Sequence, residues 1–159
     1  GVPWERRGAR NDEYIEAMRT LWSGPEVEFH GEFVDFPKVT CSPRPVQTSI
    51  PILVGGDSEV AIRRAARLAD GHFPGEGDLE RLGGLIVRVR RAAEIADRDP
   101  DSIEINAMFS TQMADPVAGV EKMVELGVGR IMVPAFFFAG PGGLDRMDQF
   151  ADVAIGAAS

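Results

Sequence analysis

From Ile50 to the C-terminus the sequence alternates short apolar runs with longer amphipathic ones, and this rhythm leaves few folds open. Ile50 to Val54 is a continuous apolar run, as expected of a strand covered on both faces. A helix from about Ser58 to Ala69 follows, with Ala61, Ala65 and Leu68 on one side. "DGHFP" reads as a second strand, and the helix after it carries Leu79, Leu82, Leu85, Ile86, Val89 and Ala93 at helical spacing. "SIEINAMFS" is a third strand. Asp115-Pro116 then opens a helix with an N-cap and a proline at the first helical position, and Gly127 ends it. "RIMVPAFFF" supplies a fourth strand, and residues 144 to 157 the last helix. The order β-α-β-α-β-α-β-α with short connections implies parallel strands joined by right-handed crossovers. Four such units suit a small open sheet or half of an eight-unit barrel. A closed barrel needs about 250 residues, and the chain has 159. It reads as a single domain over residues 1–159.

Ahead of this region, Tyr14, Ile15, Met18, Leu21 and Trp22 share a helical face, with Asn11 as cap and Asp12 and Glu13 in the first turn. Ser23-Gly24-Pro25 stops that helix. "EVEFHGEFVDFPKVT" alternates polar and apolar residues about His30-Gly31 and reads as an irregular hairpin. "CSPRPVQTSIP" has three prolines in eleven residues and must be an extended connector.

The net charge of −8 argues against a nucleic-acid backbone or an anionic membrane as partner, while a local site for an anionic small molecule stays open. The lone Cys41 has no partner for an internal disulfide, and no Cys/His cluster exists, so the chain reads as cytoplasmic and metal-free. The first residue is Gly1 rather than Met, in what reads as a loop, which points to a fragment or a processed chain.

The stretch "PILVGGDSEVAIRRAARLADG" holds the main chemical candidate. If the strand ends at Gly55-Gly56, the missing Cβ atoms let a phosphate approach main-chain N–H groups, and the N-terminus of the following helix adds to that anion site. Ser58 can contribute a hydroxyl. A bland alternative is a tight turn needing positive φ and nothing more. Asp57 and Glu59 would repel a phosphate unless turned outward, and Asp57 can itself cap the helix. His72 titrates near neutrality and is a candidate acid or base, although a strand histidine is more often packed. His30 reads as exposed. A second candidate is "FFFAGPGGL", where Gly140, Gly142 and Gly143 permit a phosphate loop and Phe136, Phe137 and Phe138 line an apolar rim; a plain connector packed under the last helix is the alternative. Arg63 and Arg64 read as a solvated or subunit-facing surface. The methionines at 18, 108, 113, 123, 132 and 147 read as core. There is no GxSxG elbow, Walker loop or GxGxxG fingerprint.

The runs "GVPWERRGARNDEYIEAMRTLW", "FHGEFVDF", "PRPVQ" and "PILVGGDSEVAIRRAARLADGHFPG", in this order, resemble the luciferase-like monooxygenase family, and within it the oxidoreductases that use the deazaflavin coenzyme F-420. The resemblance implies a TIM-barrel type (β/α)8 fold, of which this chain is about the C-terminal half, with F-420 or FMN bound at the C-terminal ends of the strands. It implies a cofactor site at Gly55, Gly56, Asp57 and Ser58, with Gly75 at the catalytic rim, where a side chain would crowd the coenzyme. The activity implied is hydride transfer or monooxygenation of a small organic substrate. The alternative is a non-catalytic or truncated half-barrel that binds coenzyme or pairs with another half. A sugar-phosphate lyase or isomerase bound through Gly140 to Gly143 is a further reading. A half-barrel leaves two sheet edges open, so a homo-oligomer is expected.

Overall fold

The computed structural model describes residues 3–47, 49–109 and 114–157, which divide into two compact units, residues 1–52 and 53–159. In the first unit, α1 (Arg7–Ser23) precedes an antiparallel hairpin of β1 (Val27–His30) and β2 (Asp35–Val39). The hairpin is where the sequence put it. The helix starts earlier than expected: it begins beyond Arg6, which takes a left-handed conformation at φ 55°, so Asn11 is no cap and Asp12 and Glu13 lie inside the helix. The buried side chains of α1 are Ile15 and Ala17, whereas Tyr14 and Met18 are exposed, so the apolar face read from spacing is only partly the packed one.

Glu13 explains its interior position. Its carboxylate accepts the backbone N–H groups of Glu32 (3.1 Å), Phe33 (2.6 Å) and Val34 (2.7 Å), the donors that the hairpin turn leaves unpaired. A negative acceptor facing several amides makes stronger hydrogen bonds than a neutral one. Arg6 and Arg10 stack on the Phe33 ring at 4.9 and 4.8 Å, and Arg6 also pairs with Glu32, so the turn is held from both sides.

The second unit is the regular α/β region. Its strands β3 (Leu53–Gly55), β4 (Gly71–Phe73), β5 (Glu104–Met108) and β6 (Arg130–Met132) form one parallel sheet in sequence order. The crossovers are α2 (Glu59–Leu68), α3 (Leu79–Ile95) and α4 (Pro116–Glu125), and α5 (Gly143–Ala157) follows the last strand. Each crossover helix starts on a side-chain cap: Ser58 accepts from the Ala61 amide, Asp78 from that of Arg81 and Asp115 from that of Ala118. Arg98 closes the other end of α2, donating to the Ala66 and Ala69 carbonyls at 3.0 and 2.8 Å.

Period-two alternation sorts the strand residues. Ile103, Ile105, Ala107 and Phe109 are buried with Ile62, Leu82, Ile86, Val89, Val120 and Met123 in one core between sheet and helices. Residues paired in register share a face, so His72 opposite Ile105, and Val54 opposite His72, belong to the helix side. Leu53, Gly55, Gly71, Phe73, Asn106, Met108 and Met132 belong to the other face, which no helix of this unit covers. Leu53 is 42% and Met132 39% exposed there. The run from Ile50 to Val54 is therefore covered on one face and not on both: only Val54 of β3 is buried. The fourth strand is also shorter than "RIMVPAFFF", because Pro134 has no N–H to continue the ladder and Ala135–Phe138 coil into a 3-10 turn. Of the methionines, Met123 is fully buried, Met18, Met132 and Met147 are exposed, Met108 is partly buried, and position 113 lies outside the described residues.

Glu13→Ala should cost the first unit about 2 kcal/mol, since it strands three amides that a charged acceptor now serves. Hydrogen exchange should show residues 32 to 34 losing protection first. Unchanged exchange at these amides would mean that the carboxylate does not anchor the turn.

Candidate functional site

The sequence-derived site residues meet at the C-terminal ends of β3 and β4. Gly55 is the last residue of β3, and a Cβ placed on it would stand 3.4 Å from the Phe73 carbonyl, on the uncovered face of the sheet. Gly56 follows with φ +107°, a conformation only glycine adopts without strain. Its N–H donates to the Phe73 carbonyl at 3.1 Å and so extends the β3–β4 ladder. The Gly56 N–H is thus engaged within the sheet. The amides left without intrahelical acceptors are those of the first turn of α2 beyond the Ser58 cap, at Glu59 and Val60.

Asp57 does not cap α2; that role falls to Ser58, whose Oγ lies 3.3 Å from the Ala61 nitrogen. Instead the Asp57 Oδ1 accepts the Gly75 N–H at 2.9 Å, with Oδ2 3.6 Å from where a Gly75 Cβ would stand. One carboxylate thus ties the loop after β3 to the loop after β4. Glu59, the other acid of the turn, pairs with Arg88 of α3. Both carboxylates that would repel a phosphate are engaged elsewhere, Asp57 with the second loop and Glu59 with the neighbouring helix. Gly55, Gly56, Asp57, Ser58 and Gly75 form one cluster.

His72 is not part of it. It is 1% exposed, lies on the helix-covered face, and neither ring nitrogen has a hydrogen-bond partner. Burial pushes it below its ordinary value, and the Val54 backbone and the Asp57 charge oppose this without reversing it. A neutral, enclosed imidazole behind the sheet is badly placed to act at the strand ends. His30 is exposed as expected and lies 2.6 Å from Asp35, whose hydrogen bond raises it.

The glycine loop after β6 reads as structural. Gly140 and Gly142 have φ of 83° and 69°, and Arg146 donates to the Ala139 and Pro141 carbonyls at 2.8 and 2.9 Å, filling the loop from within. Phe138 packs against Phe150 at 5.8 Å under the last helix, while Phe136 is exposed. The sequence reading missed Asn106, 1% exposed on the uncovered face with its Oδ1 unpaired. An asparagine amid "SIEINAMFS" was the available signal.

Among the described residues no helix is long and apolar enough to cross a membrane. A family model described as luciferase-like monooxygenase matches residues 1–146. An uncharacterized protein of Mycobacterium tuberculosis is 45% identical over 134 residues, which is 84% of this chain and 44% of that protein. The FMNH(2)-dependent dimethylsulfone monooxygenase of Pseudomonas putida is 32% identical over 97 residues, 58% of this chain and 27% of that one. Among solved structures, an F420-dependent secondary alcohol dehydrogenase in complex with an F420-acetone adduct superposes over 97% of this chain and 64% of its own, with a TM-score of 0.73 at 15% identity. The long-chain alkane monooxygenase LadA superposes over 80% of this chain and 35% of its own, with a TM-score of 0.58 at 20% identity. At such identities these structures speak for the fold. The chain spans less than half the length of the curated relatives named here.

A buried base held neutral gives a definite pH signature. Its folded value lies below the unfolded one near 6.5, so its contribution to stability is complete above about pH 6.5 and is lost as pH falls toward the folded value. Wild-type stability should decline as pH falls below about 6.5, and His72→Leu should flatten that decline. Chemical denaturation across this range would reject the assignment if both proteins showed the same slope.

Proposed function

The chain belongs to the luciferase-like monooxygenase family, and we propose that it holds the phosphate end of a coenzyme, deazaflavin F-420 or alternatively FMN, at the Gly55–Ser58 turn and Gly75. The observation that carries this reading is the cradle itself: a glycine pair ends β3 on the uncovered face, beside a helix N-terminus whose two flanking acids are turned to other partners. A phosphate there would meet the first amides of α2 and the Ser58 hydroxyl, where aligned N–H dipoles favour negative charge. Such a coenzyme supplies two-electron hydride transfer as a deazaflavin, or oxygen activation as a reduced flavin.

The chain's own residues bind and orient. Gly55 and Gly71 keep the uncovered face low near the strands; a Cβ on Gly71 would stand 2.9 Å from the Glu104 carbonyl. Phe73, Met108 and Met132 offer that face an apolar wall that would exclude water from a ring laid against it. Asp57 fixes the separation of the two loops that flank the phosphate. The substrate class in this reading is a small organic molecule, oxidised or reduced at the ring. The preference for F-420 over FMN rests on the likeness of "RGARNDEYIEAMRTLW" (residues 7–22) and "EVEFHGEFVDF" (residues 26–36). A second reading, a half-barrel that binds coenzyme without completing a reaction by itself, is favoured by the uncovered sheet face, where Leu53 and Met132 stay exposed.

Fluorescence titration with F-420 and in parallel with FMN should show saturable binding of one of them. Gly55→Ala should weaken that binding at least about tenfold, the cost of a Cβ in a phosphate's place, while the fold persists, because the new methyl meets only an ordinary contact at 3.4 Å. Binding of neither coenzyme by folded protein would sink the reading for this chain. Equal binding by Gly55→Ala would move the site away from the turn.

A further inference from the structure

On the outer surface of the second unit, away from the strand ends, α2 and α3 enclose a groove of about 520 Å3. Arg63 and Arg67 of α2 and Arg88 and Arg91 of α3 line it, against the single carboxylate of Glu59, and its floor is Ala92, Ala96 and the 79%-exposed Ile95. Glu59 is matched by Arg88, and Arg63 and Arg91 have no ion-pair or hydrogen-bond partner among the described residues. A positive groove with an apolar floor is unusual on a chain of net charge −8.

Its complement lies on the same molecule. Along α5, Asp145, Asp148 and Asp152 fall within about 60° of helix surface and span about 10 Å, and none has a partner among the described residues. Leu144 and Ile155, 74% and 68% exposed, border this acidic stripe. The only base of the helix, Arg146, is folded back onto the loop carbonyls of Ala139 and Pro141 and leaves the stripe uncompensated. Stripe and groove match in chemistry: carboxylates beside exposed aliphatic side chains, facing guanidinium groups beside an exposed isoleucine.

They cannot meet within one chain. The sheet order β3-β4-β5-β6 places α2 and α3 at one end of the helix layer and α5 beyond β6 at the other. We infer that the arginine groove between α2 and α3 receives the acidic α5 stripe of a second copy of this chain. The contact is head-to-tail, so it continues the helix layer from copy to copy and builds a ring or an open chain of subunits. Opposite charges steer the encounter, and exposed ion pairs of this kind weaken as salt rises.

Sedimentation velocity across a concentration series tests this with two neutral variants, Arg63→Gln/Arg91→Gln and Asp148→Asn/Asp152→Asn. All four positions are exposed, and circular dichroism would establish that both variants fold. Wild-type protein should associate, and do so less at high salt. Each variant alone should associate at least about tenfold more weakly. An equimolar mixture should form a dimer that stops at two chains, since it has one intact groove and one intact stripe per pair. A wild-type chain that stays monomeric overturns the inference. So do variants that associate like wild type, which would point to the uncovered sheet face. Loss in the groove variant alone overturns it as well and assigns the groove to another acidic partner, and a mixture that stays monomeric does the same for the pairing.

Discussion

The parallel ladder of β3 to β6 fixes where everything else in the second unit can be. Four strands in register, each followed by a helix on one side, force successive residues into opposite environments. Ile105 and Ala107 go into a dry core, whereas Asn106 and Met108 go to a face that no helix of this unit covers. A one-residue slip would exchange those two sets and bury Asn106 among helices. The same parity sends His72 behind the sheet and leaves Gly55 in front. The division between the residues packed against the helices and those on the other sheet face follows from this single periodicity.

The strand ends bring the glycine turn and the Gly75 loop together. Glycines at 55 and 56 remove bulk where β3 meets α2, and the backbone compensates by donating the Gly56 N–H to Phe73. Acids in the first turn of a helix ordinarily complement its dipole. Here they do so at a distance from the free amides, because Asp57 bonds to Gly75 and Glu59 to Arg88. The favourable field of the helix N-terminus is therefore not consumed by the chain's own carboxylates. The cluster would lose this property if either partner were removed, which makes Arg88 a remote contributor to the electrostatics of the turn.

Much of this was legible in the sequence because the signals were local. Asp115-Pro116 starts a helix by capping and Gly127 at φ +80° ends it, so the bounds of that helix could be read within a residue or two. The family likeness led to the TIM-barrel type arrangement, which the parallel sheet and the structural neighbours support. What failed depended on contacts distant in sequence. Glu13 looked like a first-turn acid, but its role is set by amides about twenty residues away. An apolar run such as Ile50–Val54 has the same composition whether one face or two are covered. Asp57 resembled a cap because a neighbouring serine and a distant glycine amide were both candidates for the same chemistry, and only the folded geometry assigns each to its partner.

The parity argument also bears on which chemistry this chain can contribute. Under the proposed function, a group that moves a proton would have to lie on the uncovered face near the C-terminal strand ends. His72 is on the wrong face, and burial holds it neutral. Glu104 is on the right face but at the start of β5, the opposite end from the glycine turn, and it is paired with Arg130 at 3.0 Å. Asn106 is on that face too, but at 1% exposed it is as enclosed as His72, and it does not titrate. The described residues of this face therefore offer a glycine turn beside a helix N-terminus and an apolar wall. Under the proposed function these groups would hold and orient a coenzyme, and the coenzyme would carry the redox step. That division of labour fits a site built mainly from glycines and main-chain amides better than one built from acids and bases.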